Sequence, residues 1–393
     1  MEEWKTYRLE DLTIDGKGHY GIGAPAVDFD ENKFTYLRIT DINDDGSLNY
    51  SGLKSVDDPD ASKYLLQEGD IVFARTGNST GRSYYYEPSD GQFVFAGFLI
   101  KFSLDPTKVN PRFLKYYTHS KMYYEWVQSF DTGATRGNIN AQTFGSMEIN
   151  LPPREVQDRL VEILRSIDDK IKLNNRINHN LEEQVQYHFD QMLLANDAMG
   201  YCQVADYIDI NPKRELKKGQ FARSIEMSFL STAGSFPSGW DFKEYNGGMK
   251  FMNGDTIMAR ITPCLENGKV AYVDFLDDKE TAFGSTEYIV LRSKPGIPSA
   301  FTYFLARNSD FVDYATKNMN GSSGRQRVSG DVIGRYIIPI LNDQDLSLFA
   351  KVSQASMNVI RINSIENMTL SSTRDTLLPL LLSGEISFNQ ISC

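Results

Sequence analysis

The sequence is poor in the residues that build metal centres, disulfide frameworks and membrane spans. Only three of the 393 residues are cysteine and four are histidine, and neither type has the spacing of metal ligands. The cysteines, Cys202, Cys264 and Cys393, are scattered and odd in number, which favours a reducing compartment. No apolar run approaches the roughly 20 residues of a membrane span, and the acidic start MEEWKTYRLEDL is unlike a signal peptide. We therefore expect a cytoplasmic protein without a metal site or membrane contact.

Excess positive charge, the usual mark of a nucleic-acid partner, is also lacking. The formal net charge is −11, which by itself argues against a polyanionic ligand. The charge is unevenly distributed, however: residues 1–152 carry net −7, whereas residues 200–341 carry net +1. Any surface that binds a polyanion must therefore be local.

Common catalytic motifs are missing as well. The stretch GDIVFARTGNSTGRS, residues 69–83, resembles a phosphate loop, but Thr76 stands where that motif needs glycine and Arg82 stands where it needs lysine. A related loop later in the chain contains Pro263, which has no N–H to offer a phosphate. We find no glycine-rich methyl-donor loop, no nuclease carboxylate cluster and no Ser-His-Asp or Cys-His set. The sequence thus predicts a binding protein without catalytic residues.

What the chain does contain is an internal repeat. Gly69-Asp70 in EGDIVFARTG is echoed by Gly254-Asp255 in NGDTIMARIT, and GATRGNINAQTFGSMEINLP is echoed by GSSGRQRVSGDVIGRYIIPI. Within the second match Arg136 corresponds to Arg325, an offset of 189 residues. The same offset relates Gly145 to Gly334, Ile171 to Ile360, Asn174 to Asn363, Asn178 to Asn367 and Leu181 to Leu370. The chain therefore contains two copies of one unit, and each copy is a mixed domain followed by a helical segment.

Each helical segment carries a heptad pattern, with steps that alternate between four and three. The first reads Leu160, Leu164, Ile167, Ile171, Asn174, Asn178, Leu181, Val185, His188 and Met192. The second reads Phe349, Ser353, Ser356, Ile360, Asn363, Asn367, Leu370, Arg374, Leu377 and Leu381. About 40 helical residues span roughly 60 Å, so we predict an antiparallel coiled coil whose paired asparagines fix register. The alternative is that each amphipathic helix lies on its own domain.

The predicted fold class is α/β (α+β): two similar domains separated by two long helices in a pseudo-twofold repeat. Strand-like runs such as FTYLRIT, FVFAGFLIKF and EYIVLR alternate with helix-like, aromatic-rich stretches. The predicted segments are a first recognition domain at 1–152, a central helix at 153–199, a second recognition domain at 200–341 and a C-terminal helix at 342–393.

Two pairs of polar loops are candidates for DNA contact. Arginine pairs with guanine edges and Asn or Gln with adenine edges, while glycine lets the backbone approach phosphates. The candidates for base readout are Thr135, Arg136, Asn138, Asn140 and Gln142 in the first copy, and Ser323, Arg325, Gln326 and Arg327 in the second. The candidates for phosphate contact are Arg75, Arg82, Arg260 and Lys269. A polar loop is usually only a connection, but its recurrence in both copies favours a function.

In these motifs the chain resembles the specificity (S) subunits of Type I restriction–modification systems. The resemblance rests on LQEGDIVFARTG, TGATRGNINAQTFGSMEINLPPREVQDRLVEIL, IDDKIKLNNRINHNLEEQ and LLPLLLSGEI. It implies two target-recognition domains that bind a bipartite, asymmetric sequence in double-stranded DNA with a nonspecific gap. It also implies two methyltransferase (M) subunits docked on the helices and domains, and restriction (R) subunits in the full complex. S-adenosylmethionine, ATP and Mg²⁺ would be bound by those partners, and this chain would hold no cofactor.

Two other functions remain open from sequence. One is a pseudo-symmetric coiled-coil scaffold that binds only proteins. The other is an enzyme whose site has no recognisable motif.

Overall fold

The computed structural model of the chain describes residues 4–50, 52–130, 137–322 and 324–383. The chain divides into two units, residues 1–168 with 373–393, and residues 169–372. Each unit therefore contains one sheet-rich mixed domain and one end of each long helix. The predicted fold class, two mixed domains and two long helices, is confirmed.

The first half of the chain forms these elements. Its strands are β1 (Lys5–Arg8), β2 (His19–Tyr20), β3 (Ala26–Val27), β4 (Phe34–Leu37), β5 (Lys54–Val56), β6 (Asp70–Ala74), β7 (Ser83–Tyr85), β8 (Phe93–Phe95), β9 (Leu99–Ser103) and β10 (Glu148–Leu151). Its helices are α1 (Pro111–Tyr117), α2 (Lys121–Gln128), α3 (Ala141–Gly145) and the long α4 (Arg154–Ala195).

The second half repeats the pattern. Its strands are β11 (Tyr201–Gln203), β12 (Ile208–Ile210), β13 (Phe221–Ile225), β14 (Asp241–Glu244), β15 (Met249–Phe251), β16 (Asp255–Ala259), β17 (Val270–Tyr272), β18 (Ala282–Gly284), β19 (Tyr288–Ser293) and β20 (Ile337–Pro339). Its helices are α5 (Phe301–Arg307), α6 (Ser309–Lys317), α7 (Gly330–Gly334) and the long α8 (Asp343–Ser383).

The sheets show the same repeat. One four-stranded sheet has the order β2-β9-β6-β7 in the first unit and β12-β19-β16-β17 in the second, antiparallel throughout. A second four-stranded sheet in each unit contains one parallel pair, β4 with β8 and β13 with β18. A two-stranded pair, β1-β10 or β11-β20, completes each domain. The antiparallel sheet and the two-stranded pair are therefore duplicated in strand order, whereas the mixed sheets differ, with the order β3-β5-β4-β8 in the first unit and β14-β13-β18-β15 in the second.

The repeated Gly-Asp motif is a structural turn that starts the central strand. Gly69 and Gly254 adopt positive φ values of 90° and 85°, a conformation that glycine tolerates best. The next residue, Asp70 or Asp255, is buried, and one carboxylate oxygen accepts the backbone N–H three residues earlier at 2.8 Å in both units. Every residue of β6 and β16 is buried, so the turn anchors the core.

The long helices contribute to both cores. In the first unit, Leu160 and Leu164 of α4 share a hydrophobic cluster with Leu378 and Leu381 of α8. In the second unit, buried Val185 and Phe189 of α4 join a cluster that also contains the α8 side chains Phe349 and Ile360. His188, predicted to lie in the helix seam, is instead exposed, because the seam shifts by one residue and Phe189 is buried.

In the second unit α4 and α8 run antiparallel and are joined by asparagines. The Asn174 carboxamide donates to Glu366 Oε2 at 2.7 Å and to Asn367 Oδ1 at 2.9 Å. One helical turn along α4, Asn178 Oδ1 accepts from Asn363 Nδ2 at 2.9 Å. A residue further along α4 thus pairs with a residue earlier on α8, since Asn174 contacts Asn367 and Asn178 contacts Asn363. This confirms that the two helices are antiparallel. The residues predicted to set the register are all buried or partly buried: Ile171, Asn174, Asn178, Leu181, Ile360, Asn363, Asn367 and Leu370.

The Asn178–Asn363 pair gives a test of the helix contact. Asn363→Leu leaves the Asn178 carboxamide without its donor and is expected to lower the free energy of unfolding by about 1 kcal/mol. The double variant Asn178→Leu, Asn363→Leu replaces both partners, so it should regain that loss or exceed wild type. Urea unfolding of the three proteins measures the difference. A double variant less stable than Asn363→Leu would contradict this account.

Candidate nucleic-acid interface

Each unit joins its two candidate loops by the same backbone contacts. In the first unit, the Ile139 N–H donates to the Arg75 carbonyl at 2.9 Å. In the second unit, the Val328 N–H donates to the Arg260 carbonyl at 3.0 Å. Antiparallel bridges one residue away pair Thr76 with Asn138 and Ile261 with Arg327. The loop predicted to contact phosphates and the loop predicted to contact bases therefore form one surface in each unit. We call this surface the joined loops; it contains Arg75 and Asn138 in the first unit and Arg260 and Arg327 in the second.

In the first unit the joined loops present an arginine among aromatic and amide groups. The Arg75 guanidinium lies over the Tyr20 ring, 5.0 Å from its centroid, and its Nε and Nη2 are each 3.4 Å from Asn138 Oδ1. The Tyr20 hydroxyl accepts the Ala141 N–H at 3.1 Å. The Arg75 N–H donates to the Phe98 carbonyl at 3.1 Å, and the Phe98 ring is 60% exposed. The backbone of Arg75 is thus joined to that of Phe98, a residue whose apolar side chain is exposed at the surface.

The other candidate residues of the first unit differ in whether their side chains are already hydrogen-bonded within the protein. Asn140 caps α3, since its Oδ1 accepts the Thr143 N–H at 2.8 Å, whereas Gln142 is exposed. Arg82 donates to Asp44 Oδ1 at 2.6 Å and to a backbone carbonyl. Thr135 and Arg136 lie outside the described residues.

In the second unit a carboxylate holds the arginines of the joined loops. Glu287 accepts from Arg327 Nη2 at 2.7 Å and Nε at 2.9 Å, and Arg260 Nε lies 3.9 Å from Glu287 Oε2. Arg325 is exposed, and the Gln326 carbonyl accepts the Thr262 N–H at 3.1 Å. Arg325 is thus the exposed cation of this loop that no side chain of the described residues holds.

Lys269 is the remaining candidate of the second unit. Its Nζ donates to the Met227 carbonyl at 2.9 Å and the residue is only partly exposed. Ser323 lies outside the described residues. The geometry favours Arg75 and Arg325 over Arg82 and Lys269 for contact with a ligand. Arg82 and Lys269 make short hydrogen bonds within the protein, whereas the hydrogen bonds of Arg75 are long, at 3.4 Å, and Arg325 is exposed.

Comparison with known proteins identifies the family. Residues 1–183 match the family described as "Type I restriction modification DNA specificity domain". The specificity subunit of the Type I restriction enzyme HindI from Haemophilus influenzae is 20% identical over 98% of this chain and its own full length. Residues 1–183 belong to the Type I specificity-domain family, and the likeness to the HindI subunit extends over nearly the whole chain.

Further comparisons agree with that assignment. The specificity subunit of the Type I enzyme EcoAI from Escherichia coli is 31% identical over 30% of this chain and 21% of its own length. The fold is that of the S subunit of a Type I restriction–modification system from M. genitalium, with a TM-score of 0.58 and 15% identity over 97% of this chain and 96% of that one. Among the described residues, no helix has the length and apolar character needed to cross a membrane.

The sequence did not point to Phe98 and Glu287, although a signal was present. Both residues stand just before the last strand of the antiparallel sheet, and both accept, through the backbone carbonyl, the N–H of the loop arginine. They are 189 residues apart, the offset of the repeat. Aligning the copies at this offset would have shown that equivalent positions carry an aromatic ring in one domain and a carboxylate in the other.

The carboxylate of Glu287 changes the electrostatics of the second surface. Hydrogen bonding to Arg327, followed by the charges of Arg327 and Arg260, lowers the pKa of Glu287 below its ordinary value. The same hydrogen bond raises the pKa of Arg327. The second surface is therefore a partly neutralised network, whereas in the first unit Arg75 lies beside a neutral ring and amide.

The lowered pKa of Glu287 predicts how its contribution to the free energy of unfolding changes with pH. Since the folded-state pKa of Glu287 is below the unfolded value of about 4.3, its contribution is present above that value and is lost as pH falls through the folded pKa. The difference in unfolding free energy between wild type and Glu287→Gln should therefore shrink on acidification. Urea unfolding between neutral and acid pH measures it. The exposed Glu266 supplies a control, Glu266→Gln; a difference for Glu287→Gln that is as independent of pH as the control would refute the prediction.

Proposed function

We propose that this specificity subunit binds double-stranded DNA through the joined loops of both domains, each loop pair reading one half of a bipartite, asymmetric target. The helix pair sets the nonspecific gap between the halves. The chain itself performs no catalysis and directs adenine methylation and restriction by partner subunits. The partners are two M subunits, with S-adenosylmethionine, and R subunits, with ATP and Mg²⁺.

The main support for the proposal is that the joined loops of the two units share one backbone arrangement but carry different side chains. The carbonyls of Arg75 and Arg260 accept equivalent N–H groups, so the scaffold of the two surfaces is the same. The first surface offers Arg75, Asn138 and an apolar ring, and the second offers Arg325 beside an acidic network. Arginine suits guanine, asparagine suits adenine, a carboxylate suits the cytosine amine and an apolar ring suits the thymine methyl. Different side chains on one scaffold predict two half-sites of different sequence.

Local charge also fits DNA better than the net charge does. Arginines and lysines bind backbone phosphates, and each surface presents such a cation, Arg75 in the first unit and Arg325 in the second. Basic surfaces on partner subunits would supply the remaining attraction that a chain of net charge −11 lacks.

The function as a whole is tested by methylation sequencing. Single-molecule sequencing of the host genome with and without this chain should show one gapped, adenine-methylated motif that is lost on deletion and restored by the wild-type gene. Loss of no such motif would refute the proposal and leave the scaffold alternative.

Readout by separate domains is tested by one substitution in each surface. In the assembled complex, Arg325→Ala should relax discrimination at one half-site by about 1–3 kcal/mol, and Phe98→Ala should relax the other half-site. Binding is measured on duplexes mutated in either half, with Arg8→Ala, at an exposed position of β1, as the control. Equal loss at both half-sites for either variant would contradict one domain reading one half.

A further inference from the structure

A cleft in the second unit lies outside the joined loops. It is formed where the end of β17, the start of α5 and the long helix α8 meet, and its volume is about 360 Å³. Its walls include Tyr272, Asp274, Ser299, Gln354 and Arg361. The walls also include apolar groups, among them Pro298, Ala350 and Met357, so the cleft suits an occupant that has a polar head and an apolar stem.

Asp274 is the unusual group in this cleft. Burial raises the pKa of its carboxyl to about 7, and the charge of Arg361 offsets this only in part. Within the described residues no ion pair and no hydrogen bond from another side chain reaches its carboxylate. Arg361 instead donates from Nη2 to Asn358 Oδ1 at 2.8 Å. Asp274 is partly buried, and a carboxylate that is removed from water without a directly paired cation is costly, so this position calls for a partner.

The repeat shows what stands at the equivalent place in the first unit. Tyr85 ends β7 as Tyr272 ends β17, and a carboxylate follows two residues later in each, Glu87 in the first unit and Asp274 in the second. Arg112 lies over the Tyr85 ring at 5.6 Å, whereas the Tyr272 hydroxyl is 2.7 Å from Ser299 Oγ. Ser299 therefore occupies the place of Arg112.

In the first unit the chain supplies its own cations. Glu87 Oε1 lies 2.9 Å from Arg112 Nη1 and 3.4 Å from Lys115 Nζ, and the Glu87 side chain is only 12% exposed. The corresponding residues in the second unit are Ser299 and Thr302, which carry no charge. The space filled by the Arg112 side chain in one domain is thus open in the other, with the acidic group still in place.

We propose that the cleft at Asp274 binds an arginine or lysine side chain of an M subunit, which replaces the cation that Arg112 provides in the first unit. The proposal rests on the proposed function, in which M subunits dock on the helices and domains. Charge and shape both support this occupant: the carboxylate pairs with the cation, and the Tyr272 ring packs along an alkyl stem or a guanidinium plane. Gln354 of α8 lines the same cleft and carries an amide oxygen that can accept from a guanidinium.

Two variants of the full chain test the proposal in complex with the M subunit. Asp274→Asn removes the charge, and Ser299→Arg restores the internal cation, so each should raise the dissociation constant for M at least about tenfold. Asp278→Asn, an exposed acidic position four residues further on, is the matched control and should bind M like wild type. Mass photometry of diluted complexes measures the affinity.

The outcomes separate this inference from the proposed function. If wild type binds M but Asp274→Asn and Ser299→Arg stay within about twofold of it, the cleft proposal is wrong while the function stands. Weakening by Asp274→Asn alone also overturns it, because insertion requires the open space at Ser299. If wild type binds no M subunit, the proposed function itself fails. Retained discrimination at the half-site read by the second domain shows that each variant is folded.

Discussion

Equivalent backbone contacts in the two domains bring each candidate interface together. The carbonyl that follows the central strand, at Arg75 or Arg260, accepts the N–H of a residue far along the chain, Ile139 or Val328. Because the contact uses only main-chain atoms, it places no demand on side chains. The loop sequences are therefore free to diverge while the surface keeps its form.

The Gly-Asp turn explains why this arrangement occurs twice. The carboxylate of Asp70 or Asp255 accepts hydrogen bonds from the turn and from neighbouring side chains. Ser103 Oγ donates to Asp70 at 2.6 Å, and Arg214 Nη2 donates to Asp255 at 2.7 Å. These groups are buried, so they hold the start of the central strand rather than contact a ligand. The Gly-Asp turn thus has a structural role, and the likeness of residues 69–83 to a phosphate loop does not reflect phosphate binding at this turn. The turn fixes the start of the central strand and so positions the loop that follows the strand.

The repeated organisation, the antiparallel helices and the mixed domains could be predicted from sequence, because they follow from local periodicity and a constant offset. The asparagine pairs could be predicted for the same reason. Side-chain pairing across distant segments could not be predicted: nothing local to Arg327 shows that Glu287 neutralises it, and nothing local to Asp274 shows that a cleft adjoins it. The shift of the seam from His188 to Phe189 escaped prediction because the heptad pattern ends where the helix meets its domain.

The leucines at the end of α8 have a consequence for the order of synthesis. Leu378, Leu381 and Leu382 are buried in the core of the first unit, together with residues that precede position 165. A ribosome makes the first domain long before it makes these side chains. Part of the apolar surface of the first domain therefore stays uncovered until residues 378–382 have been synthesised. A truncation before Leu378 would damage the domain that was translated first.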